Sequence, residues 1–307
     1  MTTSQPPAPV VKHHLREGVF CISIDTERAW GIWDQPDADY FEHCVRLEDS
    51  VVSRLLELFT RYEIPATWAV VSRLMERSED PDRQEEALWH APGDIAKIRS
   101  ASPPQDIGTH GFAHIYAHEV PLEEFEADLA SASRVHKANG LLITSMVFPR
   151  NQVGHLGALK ANGVGVFRSL DLGFHITVRK LFGWWAGRAA NLLDKFIPLP
   201  AARVHPLIHA DGLVELPGSM LLMGRNGIRR LVPPWVMLWK ARLAMELAVR
   251  RGGMFHLWFH PSNFYYDAER QFRLFEDILK LAVFLRENRG LRIRTMADFA
   301  DLKTHGG

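Results

Sequence analysis

Apolar positions along the chain fall into two rhythms. Short β-branched or aromatic runs, VFCISI (19–24), ATWAVV (66–71), QDIGT (105–109), TSMVF (144–148), VGVF (164–167), MFHLWF (254–259) and LRIRT (291–295), read as strands. Between them LEDSVVSRLLELFTRY (47–62), PLEEFEADLASASRVHKANG (121–140) and ERQFRLFEDILKLAVFLRENRG (269–290) carry apolar residues at helical spacing, and the last two stop at glycine. This alternation predicts an α/β fold with parallel strands. No repeat and no convincing linker interrupts it, so one domain is expected.

The residues just behind the strands are more telling than the strands. Asp25 and Glu27 follow the first, His110 and His114 the third, Arg150 the fourth, Arg168 and Asp171 the fifth, and His260 the sixth. In a barrel of parallel strands all such ends open on one face, so polar residues scattered through the sequence would converge there.

Taken singly, each of these residues allows two readings. Two imidazoles and a carboxylate hold a divalent ion while leaving positions open for water and substrate. His110 and His114, four apart, would meet one ion if they lay on a helix, whereas His118 would point past it. With 15 histidines in the chain, such a pair also arises by chance. Asp25 alone could be a helix cap, but strand alternation would send Asp25 and Glu27 to the same side. Arg150 is either a surface charge or a bidentate partner for a carboxylate, and His260 either a core histidine or a working one.

Composition narrows the picture. Lys plus Arg and Asp plus Glu are 36 each, which argues against a nucleic-acid partner. Cys21 and Cys44 are too few for a disulfide framework and lack thiolate metal spacing, so a reducing, cytoplasmic setting is expected. The Pro-rich start is expected to be a loose tail over 1–17 rather than a secretory signal, with a second short tail at 302–307. No run approaches the roughly 18 apolar residues of a membrane span.

Six segments occur together and in order: SIDTERAWGIWD, IPATWAVV, GTHGFAH, FPRNQ, FHLWFHPSNF and TMADFA. In this the sequence resembles the polysaccharide deacetylases, the NodB-homology or carbohydrate esterase family 4 group, over roughly residues 18–301. It is most similar to a branch associated with bacterial surface-saccharide loci, in which D-x-E replaces paired aspartates. The resemblance implies a distorted (β/α) barrel of about seven parallel strands and a metal-dependent hydrolase, with zinc as the expected ion. It implies Asp25 as the catalytic base, His110 and His114 as metal ligands, Arg150 as the arginine steadying the base, and His260 as the acid beside the leaving amine. Thr26 stands where the family's second aspartate would be, and Glu27 is the preferred substitute as third ligand. Asp171 is a loose match to an acid that tunes the catalytic histidine.

The resemblance also implies the substrate, an N-acyl (first N-acetyl) group on a cell-surface saccharide or its lipid-linked precursor. Rival readings are an N-formyl or small-amide hydrolase on the same site, and a saccharide-binding barrel without activity. About 85 residues separate the fifth and sixth strands, too many for an ordinary connection. Within them, residues 178–251 carry 12 basic and 4 acidic residues and four of the nine tryptophans. They read as a helical insert, with Leu181, Trp185, Leu192 and Phe196 on one face and Trp235, Leu238, Trp239 and Leu243 on another. This insert either packs on the barrel or contacts the inner face of a membrane.

Overall fold

A computed structural model gives the architecture and describes residues 10–78, 84–169 and 201–302. In chain order the strands are β1 (Val10–Lys12), β2 (Gly18–Thr26), β3 (Thr67–Val70), β4 (Asp106–Thr109), β5 (Ser145–Val147), β6 (Val166–Ser169), β7 (Leu207–His209), β8 (Val214–Pro217), β9 (Met220–Leu221), β10 (Gly253–Phe259) and β11 (Arg292–Arg294). The helices are α1 (Ala38–Tyr62), α2 (Pro92–Ser100), α3 (Leu122–Ala138), α4 (Gly157–Ala161), α5 (Pro234–Arg251) and α6 (Ala268–Arg289). All seven strands read from the sequence are present.

The sheet runs β1-β7-β8-β6-β5-β4-β3-β2-β10-β9, parallel except where β7 meets β1 and β8. β11 lies beside the first half of β2, ahead of the point where β3 begins to pair. One segment closes the barrel. β8 runs along β6, Gly218 N–H donates to the Ser169 carbonyl, and Ser219 N–H then donates to the His256 carbonyl as the chain joins β10 through β9.

Side-chain alternation sorts the strands into an outside and an inside. Phe20, Ile22 and Ile24 of β2, with Trp68, Val70, Phe255 and Leu257, face the helices α1, α2, α5 and α6. Met146 and Phe167 face α3 and α4. The alternate residues fill the barrel: Val19, Cys21, Ala69, Val147, Val166, Val214, Leu216 and Met254 pack with Met296 and Phe299 near the C-terminus. Burial on both faces is why β2 and β10 read as nearly continuous apolar runs. Further along the same inward rows come Ser23, Asp25, Arg168 and His256, so the interior changes from apolar to charged toward the ends of the strands.

Two expectations are revised. The tail expected over 1–17 enters the sheet at β1, and Leu15 is buried with its N–H donating to His205 Nδ1. Within the region expected as a helical insert, 178–251, the described part 201–251 supplies β7, β8 and β9 before the 3-10 turn 227–231 and α5. Strand pairing there satisfies backbone groups against distant β1, β6 and β10, a gain no local pattern announces. Residues 178–200, including Leu181, Trp185, Leu192 and Phe196, and Asp171 lie outside the described residues.

Candidate metal centre

Glu27 leaves the end of β2 at the start of a short 3-10 turn, Arg28–Ile32, whose Arg28 adopts a left-handed φ of 46°. The Arg28 guanidinium is buried against Asp94 (2.6 Å), Asp49 and the Ala87 carbonyl. Gly31 lies against the Glu27 side chain so closely that a Cβ there would stand 2.2 Å from Oε1. The turn is thus anchored by Arg28 and packs Gly31 directly against the Glu27 side chain.

The histidine pair sits on a loop. His110 follows β4 directly, but 110–114 turns through Gly111 (φ 81°) to His114 (φ 56°). This corrects the expected helical spacing of the pair: the loop's own turn, not a helix face, brings the two rings together. Asp128 of α3 holds the loop, one carboxylate oxygen accepting from Phe112 N–H (2.7 Å) and the other from Ala113 N–H (2.9 Å). The ring centroids of His110 and His114 are 5.0 Å apart. His118 is exposed.

Glu27 Oε2 lies 3.3 Å from His110 Nε2 and 3.1 Å from His114 Nε2. The ligand atoms of these three residues lie within 4.8 Å of one another, and no other such group occurs among the described residues. His110 Nδ1 is 2.7 Å from the Val147 carbonyl, which can only accept. Nδ1 therefore carries a proton, and Nε2 is the nitrogen that faces Glu27 and would meet an ion. His114 is 1% exposed; its Nδ1 has no partner, and its Nε2 faces Glu27 Oε2 without an aligned hydrogen bond. A buried imidazole without an aligned hydrogen bond, beside a carboxylate and a second imidazole, is a donor set that could hold a divalent ion. Thr26 stays out of this group; its hydroxyl turns back to the Ile24 carbonyl.

Asp25 stands on the inward row of β2 and meets Arg168, the inward residue of β6. Arg168 donates to Asp25 Oδ1 (2.7 Å) and Oδ2 (2.6 Å), to Ser23 Oγ (2.9 Å) and to Asn151 Oδ1 (3.0 Å). Burial alone would raise the Asp25 carboxyl, but Arg168 and then His260 outweigh it and hold the group below its ordinary value. Glu27 is held well below its ordinary value in the same contest, by His260, His110 and His114 against burial. His260, at the end of β10, sets Nε2 3.6 Å from Asp25 Oδ2 and 3.5 Å from Glu27 Oε1, and its ring remains partly open to solvent. Its own backbone N–H donates to Asn263 Oδ1.

Arg150 is the site residue that the fold sends elsewhere. It occupies a left-handed position (φ 50°) in the turn Pro149–Asn151, and its guanidinium donates to both Asp34 oxygens at 2.8 Å. The arginine that meets Asp25 is Arg168. Its signal was present in VFRS, where alternation from inward Val166 predicts an inward 168, but an arginine aimed into a barrel reads as improbable until its partner is known.

No family model and no curated protein matches the chain. Solved structures do. A protein from Mycobacterium smegmatis assigned as a polysaccharide deacetylase superposes with a TM-score of 0.64 at 15% identity, covering 96% of this chain and 93% of that one. One from Pseudomonas aeruginosa PAO1, assigned likewise, gives 0.60 at 11%, covering 93% and 90%. The allantoinase Puue gives 0.59 at 13%, covering 97% and 93%. The chain has the α/β barrel fold of the polysaccharide deacetylases.

Proposed function

We propose that the protein is a metal-dependent hydrolase that removes an N-acyl group, N-acetyl foremost, from a saccharide. The observation that carries this reading is the approach of Glu27 Oε2 to both histidine Nε2 atoms, beside an Asp25 carboxylate anchored by Arg168 and an open His260. A divalent ion held by Glu27, His110 and His114 would polarise the amide carbonyl and lower the pKa of water towards about 7. Asp25, kept ionised and fixed in direction by Arg168, accepts the proton of the attacking water. His260 donates a proton to the amide nitrogen as the C–N bond breaks, because that nitrogen leaves as an amine. Water and amide are consumed, and a carboxylate and a free amino sugar are released.

The test is acetate release from N-acetylated oligosaccharides by the purified protein, repeated after chelation and after zinc is restored. Loss on chelation, recovery with zinc and loss in His110→Ala are expected; full turnover by metal-free protein overturns the reading. The same barrel carries a protein named an allantoinase, which favours small-amide hydrolysis as a second reading. Turnover of a small amide with none on any N-acylated sugar would establish it.

The substrate is read as a cell-surface saccharide or its lipid-linked precursor, met at the cytoplasmic face of a membrane. Leu231, Trp235 and Trp239, four apart, are 63%, 59% and 44% exposed, with Arg229 and Arg230 close by in the chain; Arg225 and Arg242 are paired with Asp267 and Glu246, and Lys240 is buried. Apolar rings flanked by arginine suit an anionic interface. No helix among the described residues is long and apolar enough to cross the bilayer. Flotation with anionic vesicles is expected for the native chain and not for a Trp235→Ala, Trp239→Ala double variant; equal flotation of both removes this part.

A further inference from the structure

Beside the candidate centre, four residues outside the hydrolytic set form one braced unit. Tyr116, two residues beyond His114, sets its ring edge-on to that histidine, 5.7 Å between centroids and 79° between planes. Trp33, two residues beyond Gly31, lies nearly parallel to Tyr116 at 6.4 Å and 19°. Arg150 places its guanidinium 4.4 Å from the centre of the Tyr116 ring, and Asp34, the neighbour of Trp33, clasps that guanidinium with both oxygens. Tyr116 is buried, yet Trp33 is 47% exposed.

A single exposed tryptophan needs no explanation by itself. This one is held. Its ring lies nearly parallel to a buried ring that meets the proposed ligand His114, the following residue is locked through Arg150, and nearly half of the residue is left to solvent. A fixed indole loses little freedom when a ligand lands on it. Its negative π-face attracts weakly positive C–H groups, which a pyranose ring presents on its apolar side. Asp34 and Arg150 beside it offer an acceptor and donors to the hydroxyls of the same ring.

We propose that Trp33 is a stacking platform for a sugar ring of the substrate, braced by Tyr116 and by the Arg150–Asp34 pair. This rests on the saccharide reading above, and it assigns Arg150 to substrate positioning. Trp33 acts on binding, so its removal should weaken the complex more than it slows the chemistry.

The test uses a panel of N-acetylated glucosamine, galactosamine and mannosamine oligosaccharides with the zinc-loaded protein, measuring Kd by calorimetry and acetate release in parallel. Trp33→Ala, at an exposed site, should keep the native melting temperature, raise Kd and KM about five- to tenfold and lower kcat far less, with Trp33→Phe recovering most of the loss. Unchanged Kd and KM in Trp33→Ala overturn the platform while leaving hydrolysis standing. Native protein that binds a panel member without releasing acetate, with binding lost in Trp33→Ala, overturns hydrolysis and leaves the platform. Neither binding nor release by the native protein overturns both.

Discussion

Arg168 reaches across the barrel from β6 to hold both oxygens of Asp25 on β2, at 2.7 and 2.6 Å, with neither side chain exposed beyond a few per cent. A charge so deeply buried persists only because its partner is equally fixed, and removing one member strands the other. Arg168→Leu should therefore cost about 3–5 kcal/mol of stability. Arg168→Lys, which keeps the charge but loses the fork, should cost less yet still misdirect Asp25. Arg150→Ala, which opens a partly exposed pair, should cost at most about 1 kcal/mol. Urea denaturation of the three variants orders them; an Arg168→Leu protein as stable as Arg150→Ala would refute the assignment.

Gly31 separates the stability of the fold from the integrity of the site. An added Cβ would stand 2.2 Å from Glu27 Oε1, 2.3 Å from Cδ and 2.8 Å from Cγ, so the Glu27 side chain must turn away from Cγ outward. Gly31→Ala is therefore expected to fold with little change in melting temperature while displacing the Glu27 carboxylate. Zinc content by elemental analysis should fall well below one ion per chain, whereas the native protein should hold one.

Asp128 lies behind the histidines and points at the loop's backbone. Its two oxygens accept from Phe112 and Ala113 N–H, holding the turn that lets His114 face Glu27. Asp128→Ala leaves those donors without their acceptor, at a cost of about 1–3 kcal/mol, and should weaken zinc binding by about 10- to 100-fold. Competition with a chromogenic chelator measures the second effect. Zinc affinity equal to native would show that the loop holds its shape unaided.

Glu48 on α1 gives the fold a pH signature of its own. Burial pushes its carboxyl up to about 7 from an ordinary 4.5, with Arg28 pulling it down and Asp94 adding to the rise, and the Tyr265 hydroxyl donates to it. Because the folded pKa is raised, the folded state binds the extra proton between these values. The contribution is full below about 4.5 and is lost as pH rises through about 7. A difference of 2.5 units corresponds to about 3 kcal/mol. Glu48→Gln, neutral at all pH, should be stabilised relative to native at pH 8 compared with pH 5 by an amount of that order. Urea midpoints at the two pH values test it, and a difference that does not change with pH would remove the claim.

Local pattern alone determined much of this protein. Continuous apolar runs in β2 and β10 mark strands buried on both faces, and the glycines at 140 and 290 end α3 and α6, because these depend on side-chain period and backbone freedom within a few residues. It also marked that Asp25, Glu27, His110, His114 and His260 each stand at or just behind the end of a strand. Tertiary structure decided what they meet. VFRS tells that residue 168 points inward, but only the pairing of β6 between β5 and β8 aims Arg168 at Asp25, while the turn after Pro149 carries Arg150 out to Asp34. HGFAH gives a spacing; the carboxylate of Asp128, on the helix after it, converts that spacing into a loop that turns both imidazoles to Glu27. The strands β1, β7, β8 and β9 were invisible for the same reason, since each is short and gains its hydrogen bonds from partners far away in the chain. Period and turn chemistry are written locally, whereas the partner across a barrel is set by the order in which strands close, which no single segment contains.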